Sequence, residues 1–109
     1  MIDINHNIRF LPVHIINPQA NKEKAVHTGE ELESLITTLG GNIVVRVIQK
    51  RENPENATFI GKGKVLEVLE KVKELRVDVV VLNTMAKPRQ VYALKNALTK
   101  ANPQIRCLG

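Results

Sequence analysis

Aromatic residues are nearly absent from this chain: one Tyr, two Phe and no Trp among 109 residues. Its core must therefore be assembled from Val, Ile and Leu, a composition that suits a parallel sheet buried between helices. The single cysteine, Cys107, excludes an internal disulfide and a thiolate zinc cluster. His6, His14 and His27 lack metal-ligand spacing, and His14 interrupts an apolar run, as a strand or core-edge residue does. There is no secretory signal and no run of about 18 apolar residues, so nothing here secretes or spans a membrane, and a cytoplasmic location is the default expectation. Catalytic constellations are missing too. No Ser or Cys stands near a His in a nucleophile pattern, and Thr58 and Thr84, the hydroxyls of the later loops, have no evident base.

What is present is ordinary in amount and uneven in place. At 109 residues the chain makes one domain, long enough to bury a core without staples. Phe10–Ile16 reads as a first strand, with pairing expected from about Val13 because Pro12 cannot donate to a ladder. Asn17–His27 reads as a loop. A helix is expected from Thr28, where Thr28 and Glu31 have capping-box spacing and Leu32, Leu35, Ile36 and Leu39 repeat on one face. Gly40-Gly41 ends it, since glycine takes the left-handed position after a helix at no steric cost. Asn42–Gln49 is the second strand, and the second helix runs from about Lys64 to Leu75. Val77–Leu82 is a strand apolar on both faces, Pro88 opens a third helix, and Gln104–Leu108 closes the chain as a short strand. The order β-α-β-α-β-α-β predicts an α/β, three-layer domain with a four-stranded parallel sheet in the order 2-1-3-4.

In such a sheet, ligands meet the loops that follow the carboxyl ends of the strands. Those loops are expected at Asn17–His27, Lys50–Lys64 and Asn83–Arg89. They hold eight basic residues (Lys22, Lys24, Lys50, Arg51, Lys62, Lys64, Lys87 and Arg89) against Glu23, Glu52 and Glu55. That excess of five equals the net charge of the whole chain. One edge thus carries the entire positive balance, helped by helix amino termini pointing the same way, and a concentrated field of this kind attracts polyanions. The first two loops, of 11 residues and of 14 without Lys64, the first residue of the helix, exceed the usual 2–6 of α/β units. Solubility alone would also explain lysine-rich loops; their length and common edge favour function. Gly61-Lys62-Gly63-Lys64 is no Walker A loop: one residue separates the glycines, and Val65 stands where a Mg²⁺-binding hydroxyl belongs. Its glycines permit close approach of a phosphate, or else merely shape the turn into the helix.

Gln49, Arg51 and Pro54, followed by Thr58-Phe59-Ile60-Gly61-Lys62-Gly63-Lys64, resemble the signature of the amino-terminal domain of HflX-type GTPases. The likeness extends from Thr28 to the end, through Gly29-Glu30-Glu31-Leu32, Gly40-Gly41-Asn42-Ile43-Val44, Val79-Val80-Val81-Leu82 and Pro88-x-Gln90. In that family the domain precedes a helical linker and a G domain that binds GTP and Mg²⁺; neither is found in these 109 residues, so the resemblance implies no cofactor and no GTP hydrolysis by this chain alone. Whether the chain is a piece of a longer protein or a stand-alone relative stays open. The resemblance implies a role in holding the large ribosomal subunit through ribosomal RNA, with Lys50, Arg51, Thr58, Gly61, Lys62, Gly63, Lys64, Lys87 and Arg89 as the contact surface. Two alternatives stand beside it: a site for ATP or another nucleotide, and a regulatory module that docks on a GTPase domain. The chain departs from the family at Asn83-Thr84, where acidic residues are usual, and at Asn56, where a second proline is usual. Any nucleotide-linked role of those acidic residues is thereby weakened.

Overall fold

The computed structural model describes residues 8–16, 22–50, 60–83 and 87–109. Strand β1 (Arg9–Ile16) leads to helix α1 (Lys22–Thr38), then to two short strands, β2 (Asn42–Ile43) and β3 (Val47–Lys50). Helix α2 (Lys62–Leu75), strand β4 (Val79–Leu82), helix α3 (Pro88–Leu98) and strand β5 (Arg106–Leu108) follow. Among the described residues all pairings are parallel, in the order β2-β1-β4-β5, with β3 also on β1. Among the described residues the class is thus α/β with a parallel sheet and three helices, but the sheet has five strands, not four.

The fifth strand arises because the expected second strand is broken. Phe10 pairs Ile43 and Val13 pairs Val47, so two residues of β1 face the three residues Val44, Val45 and Arg46. Pro12 lies opposite this surplus residue. Backbone groups of Ile8 and Phe10 point toward the edge strand, accepting from Asn42 N (3.0 Å) and Val44 N (3.1 Å), whereas Arg9 and Val13 accept from Asp78 and Asn83 on the β4 side. By alternation Pro12 faces the edge strand, where its missing N–H leaves a gap in the ladder. Proline inside a sheet is tolerated at such a bulge. Pairing nevertheless begins at Arg9, four residues earlier than the proline led one to expect.

The two faces of β1 sort the layers. Leu11, Val13 and Ile15 are buried with Val68 and Val72 of α2, Leu94 and Leu98 of α3, and Ile60, Val77, Val80, Leu82 and Ile105. Phe10 and His14 point to the other face, under α1. Helix α2 ends where Arg76 adopts the left-handed conformation (φ 54°), and Gly40 (φ 89°) ends the turn after α1. There, Gly40 N bonds Thr37 O and Gly41 N bonds Ile36 O, the paired bonds of a Schellman motif.

Helix α1 differs from expectation at its start and in its facing. It begins six residues before Thr28, so residues 22–27, expected in a loop, are helical. Lys-Glu-Lys-Ala sustains a helix well. Thr28 sits inside it and donates from Oγ1 to Lys24 O (2.9 Å), as interior threonines do. Glu31 pairs with His27 (2.6 Å) instead of closing a capping box. Of the expected apolar face only Ile36 is fully buried; Leu35 is 56% and Leu39 68% exposed. The helix is seated on a different line. Gly29 lies over the His14 ring, where an added Cβ would stand 3.0 Å from Nδ1, and Gly41 lies against Phe10 and Ile36.

Candidate nucleic-acid interface

Three elements bring basic residues to the carboxyl edge of the sheet. Strand β3 ends at Lys50, paired with Ile16 and exposed. Helix α2 opens at the same edge with Gly61 as its N-cap, then Lys62, Gly63 and Lys64. Helix α3 follows β4, with Lys87 as its N-cap, Pro88 in the first turn and Arg89 next. Lys62, Lys87 and Arg89 are exposed, and Lys24 is exposed in the first turns of α1. Arg51 and Thr58 lie outside the described residues, as do Thr84 and the greater part of the expected 50–63 loop.

The start of α2 is anchored from below and, among the described residues, open above. Ile60 is buried in the core, fixing where the helix begins. Gly61 has extended backbone (φ −66°, ψ 159°), which any residue adopts, and its carbonyl accepts from Val65 N at 2.9 Å. A Cβ added at Gly61 or Gly63 would meet nothing within 4 Å. Among the described residues, therefore, the fold makes no steric demand for glycine at either position; the expected alternative, that these glycines only shape the turn, gains no support. Lys64 is half-buried and its Nζ reaches Glu67 at 3.2 Å, so part of its charge is met one turn on.

Polar groups beside the edge keep the strands in place. Asn83 follows β4; its Oδ1 accepts from Ile15 N (2.8 Å), and its Nδ2 donates to Ile15 O (3.4 Å). It thus extends the β1–β4 ladder by one side chain, a role that a carboxylate would fill less well because it cannot donate. Gln90, buried at 1% exposure, accepts from Lys87 N at 2.9 Å and closes the first turn of α3. Local sequence spacing gave no sign of these two roles beyond Pro88-x-Gln90. It also gave none of the cluster beneath α1. There Glu33 binds His14 Nε2 (2.6 Å) and the forked guanidinium of Arg46 (2.5 and 2.8 Å). Arg46 holds the Glu33 carboxyl below its ordinary range, against the upward push of burial, and His14 adds to the lowering. Cys107 packs against the core, and burial pushes its thiol up to about 11.

The family model described as "GTP-binding GTPase N-terminal" matches residues 27–102. The chain belongs to that family. Its relatives agree. It is 35% identical over 94 residues to the GTPase HflX of Alkalihalophilus pseudofirmus, covering 84% of this chain and 21% of that protein. It is 36% identical over 78 residues to GTPase HflX of Lacrimispora saccharolytica, covering 72% of this chain and 18% of the relative. The figures for GTPase HflX of Flavobacterium psychrophilum are 36% over 78 residues, 72% and 19%. This HflX-type amino-terminal domain thus spans about one fifth of the length of the curated relatives it matches. Among its described residues, no helix is long and apolar enough to cross a membrane.

Proposed function

We propose that this domain helps an HflX-type GTPase hold the large ribosomal subunit, by setting its basic edge against ribosomal RNA. One observation carries the reading: Lys50, Lys62 with Lys64, and Lys87 with Arg89 come from three separate elements and share the carboxyl edge of one parallel sheet. Cations so placed suit a phosphate backbone, and open space at Gly61 and Gly63 suits its close approach. Phosphate contacts position without reading sequence, and Tyr92, 65% exposed on α3, is the aromatic ring available for stacking among the described residues. GTP binding and hydrolysis would belong to the part of the relatives that lies outside this match.

The test is co-sedimentation with purified large subunits across a salt series, with the wild type and a Lys62→Ala/Lys64→Ala variant. RNA binding through this edge makes the variant weaker, with a log–log salt slope shallower by about one to two units. Equal slopes would remove Lys62 and Lys64 from the interface. Saturable ATP binding that Lys62→Ala abolishes would instead favour the nucleotide reading.

A second reading, docking on a GTPase domain, is supported by a different observation. Leu35 of α1 and Leu39, just past its end, are both exposed apolar residues. Binding to a G domain that persists at high salt and falls on Leu35→Asp would support it.

A further inference from the structure

Strand β3 has a choice of register that its own residues do not settle. Val47 and Ile48 are consecutive β-branched residues; Val47 is 2% and Ile48 55% exposed. Paired residues in a parallel sheet share a face, and a slip by one residue exchanges the faces. Here Val47 shares the α2/α3 face with Val13, while Ile48 and Lys50 share the α1 face with His14 and Ile16. Continuing the β2 register without the surplus residue would set Ile48 beside Ile15 in the core. It would also carry Lys50 to the opposite face. Either register buries one apolar residue, so apolar alternation does not choose between them.

Arg46 does discriminate. It is the last residue before β3, and its guanidinium forks onto Glu33 of α1, with Nε–Oε2 at 2.8 Å and Nη2–Oε1 at 2.5 Å. The same Oε2 lies 2.6 Å from Nε2 of His14, the β1 residue that pairs with Ile48. One carboxylate therefore ties α1, the strand β1 and the bulge together. In the continuous register Arg46 would pair with Val13 and share its fully buried face, away from Glu33. The clamp and the slipped register exclude one another. We propose that Arg46, with Glu33 and His14, is a positioning device that selects the register of β3, and with it the face of the sheet on which Lys50 stands. The consequence for Lys50 rests on the basic edge being the RNA interface; the register selection does not.

The test uses isotope-labelled wild type, Arg46→Ala and Arg46→Ala/Ile48→Lys. Cross-strand nuclear Overhauser contacts report whether His14 pairs with Ile48 or with Val47. Arg46→Ala is expected to show both pairings, or to lose a folded β3. Adding Ile48→Lys, at a position already exposed in the observed register, penalises the slipped one by burying a charge, and is expected to restore the single His14–Ile48 pairing. A merely structural loss at Arg46 would not be rescued by a lysine two residues away. One unchanged register in Arg46→Ala overturns the proposal, and so does disorder that Ile48→Lys leaves uncorrected. Subunit binding by the same proteins separates the two readings: wild type that fails to bind sinks the RNA interface and leaves the register result standing. With binding intact, slipped protein should show a salt slope shallower by about one unit, the loss of one phosphate contact.

Discussion

The two faces of the sheet are built on different principles. Toward α2 and α3 the contacts are apolar: Val68, Val72, Leu94 and Leu98 meet Leu11, Val13, Val80 and Ile105, each at 1% exposure or less. Toward α1 one large apolar helix residue, Ile36, is fully buried, while Leu35 and Leu39 stand in solvent. The helix is located by two glycines fitted over side chains and by the shared carboxylate of Glu33. Burial is non-directional and grows with area, so the first face supplies the stability. Hydrogen bonds contribute less net free energy but demand a geometry, so the second face supplies position.

Truncation should expose the contrast. Leu94→Ala or Leu98→Ala removes a fully buried side chain and should cost about 2–5 kcal/mol, read from the urea midpoint at constant slope. A cost under about 1 kcal/mol would mean that the α2/α3 face is not the main source of stability. Gly41→Ala should cost about 1–3 kcal/mol by overpacking, because its Cβ would lie 2.5–2.8 Å from Phe10 and Ile36. Neutral behaviour there would show that α1 is not closely fitted. Glu33→Gln should cost about 1 kcal/mol at neutral pH and should change the acid limb of stability. The folded carboxyl titrates below its ordinary range, chiefly through Arg46. Its contribution is thus fully present above the unfolded carboxyl's range and is lost as pH falls through the folded one. Midpoints measured downward from pH 7 should converge for wild type and variant; curves that stay parallel would remove Glu33 from the acid response. The smallest effect belongs to Leu39→Ala, which should stay within about 0.5 kcal/mol. A larger loss would show that α1 does rest on its leucines.

The helices α2 and α3 were legible because their apolar repeats coincide with what they bury, and Pro88 and Gly40 act through local backbone geometry. Helix α1 differs from expectation in two places, each for its own reason. Capping spacing at Thr28 and the leucine repeat are real local signals, but the upstream residues 22–27 form helix as readily, and the line of contact is set by His14, a partner on another strand. The basic residues of the site were readable as charges, and Lys50, Lys62, Lys64, Lys87 and Arg89 fall on one edge once the strands are parallel. Arg51 and Thr58 lie outside the described residues. Pairing of Lys64 with Glu67 was open to helical spacing and was missed; the bonds of Asn83 to Ile15 join residues 68 apart and were beyond any local pattern.

Composition, periodicity and punctuation by glycine and proline were enough for the α/β class, the three helices and the edge on which Lys50, Lys62, Lys64, Lys87 and Arg89 fall, and the resemblance of the Gly61-Lys62-Gly63-Lys64 segment and its neighbours pointed to the family, since each depends on residues close together in the chain. Tertiary structure alone decided that the second strand breaks in two, which way α1 faces, and which residue of β3 lies in the core. Those outcomes depend on groups that meet only after folding: the absent N–H of Pro12 matters once it faces the edge strand, and Arg46 selects a register once Glu33 stands above it.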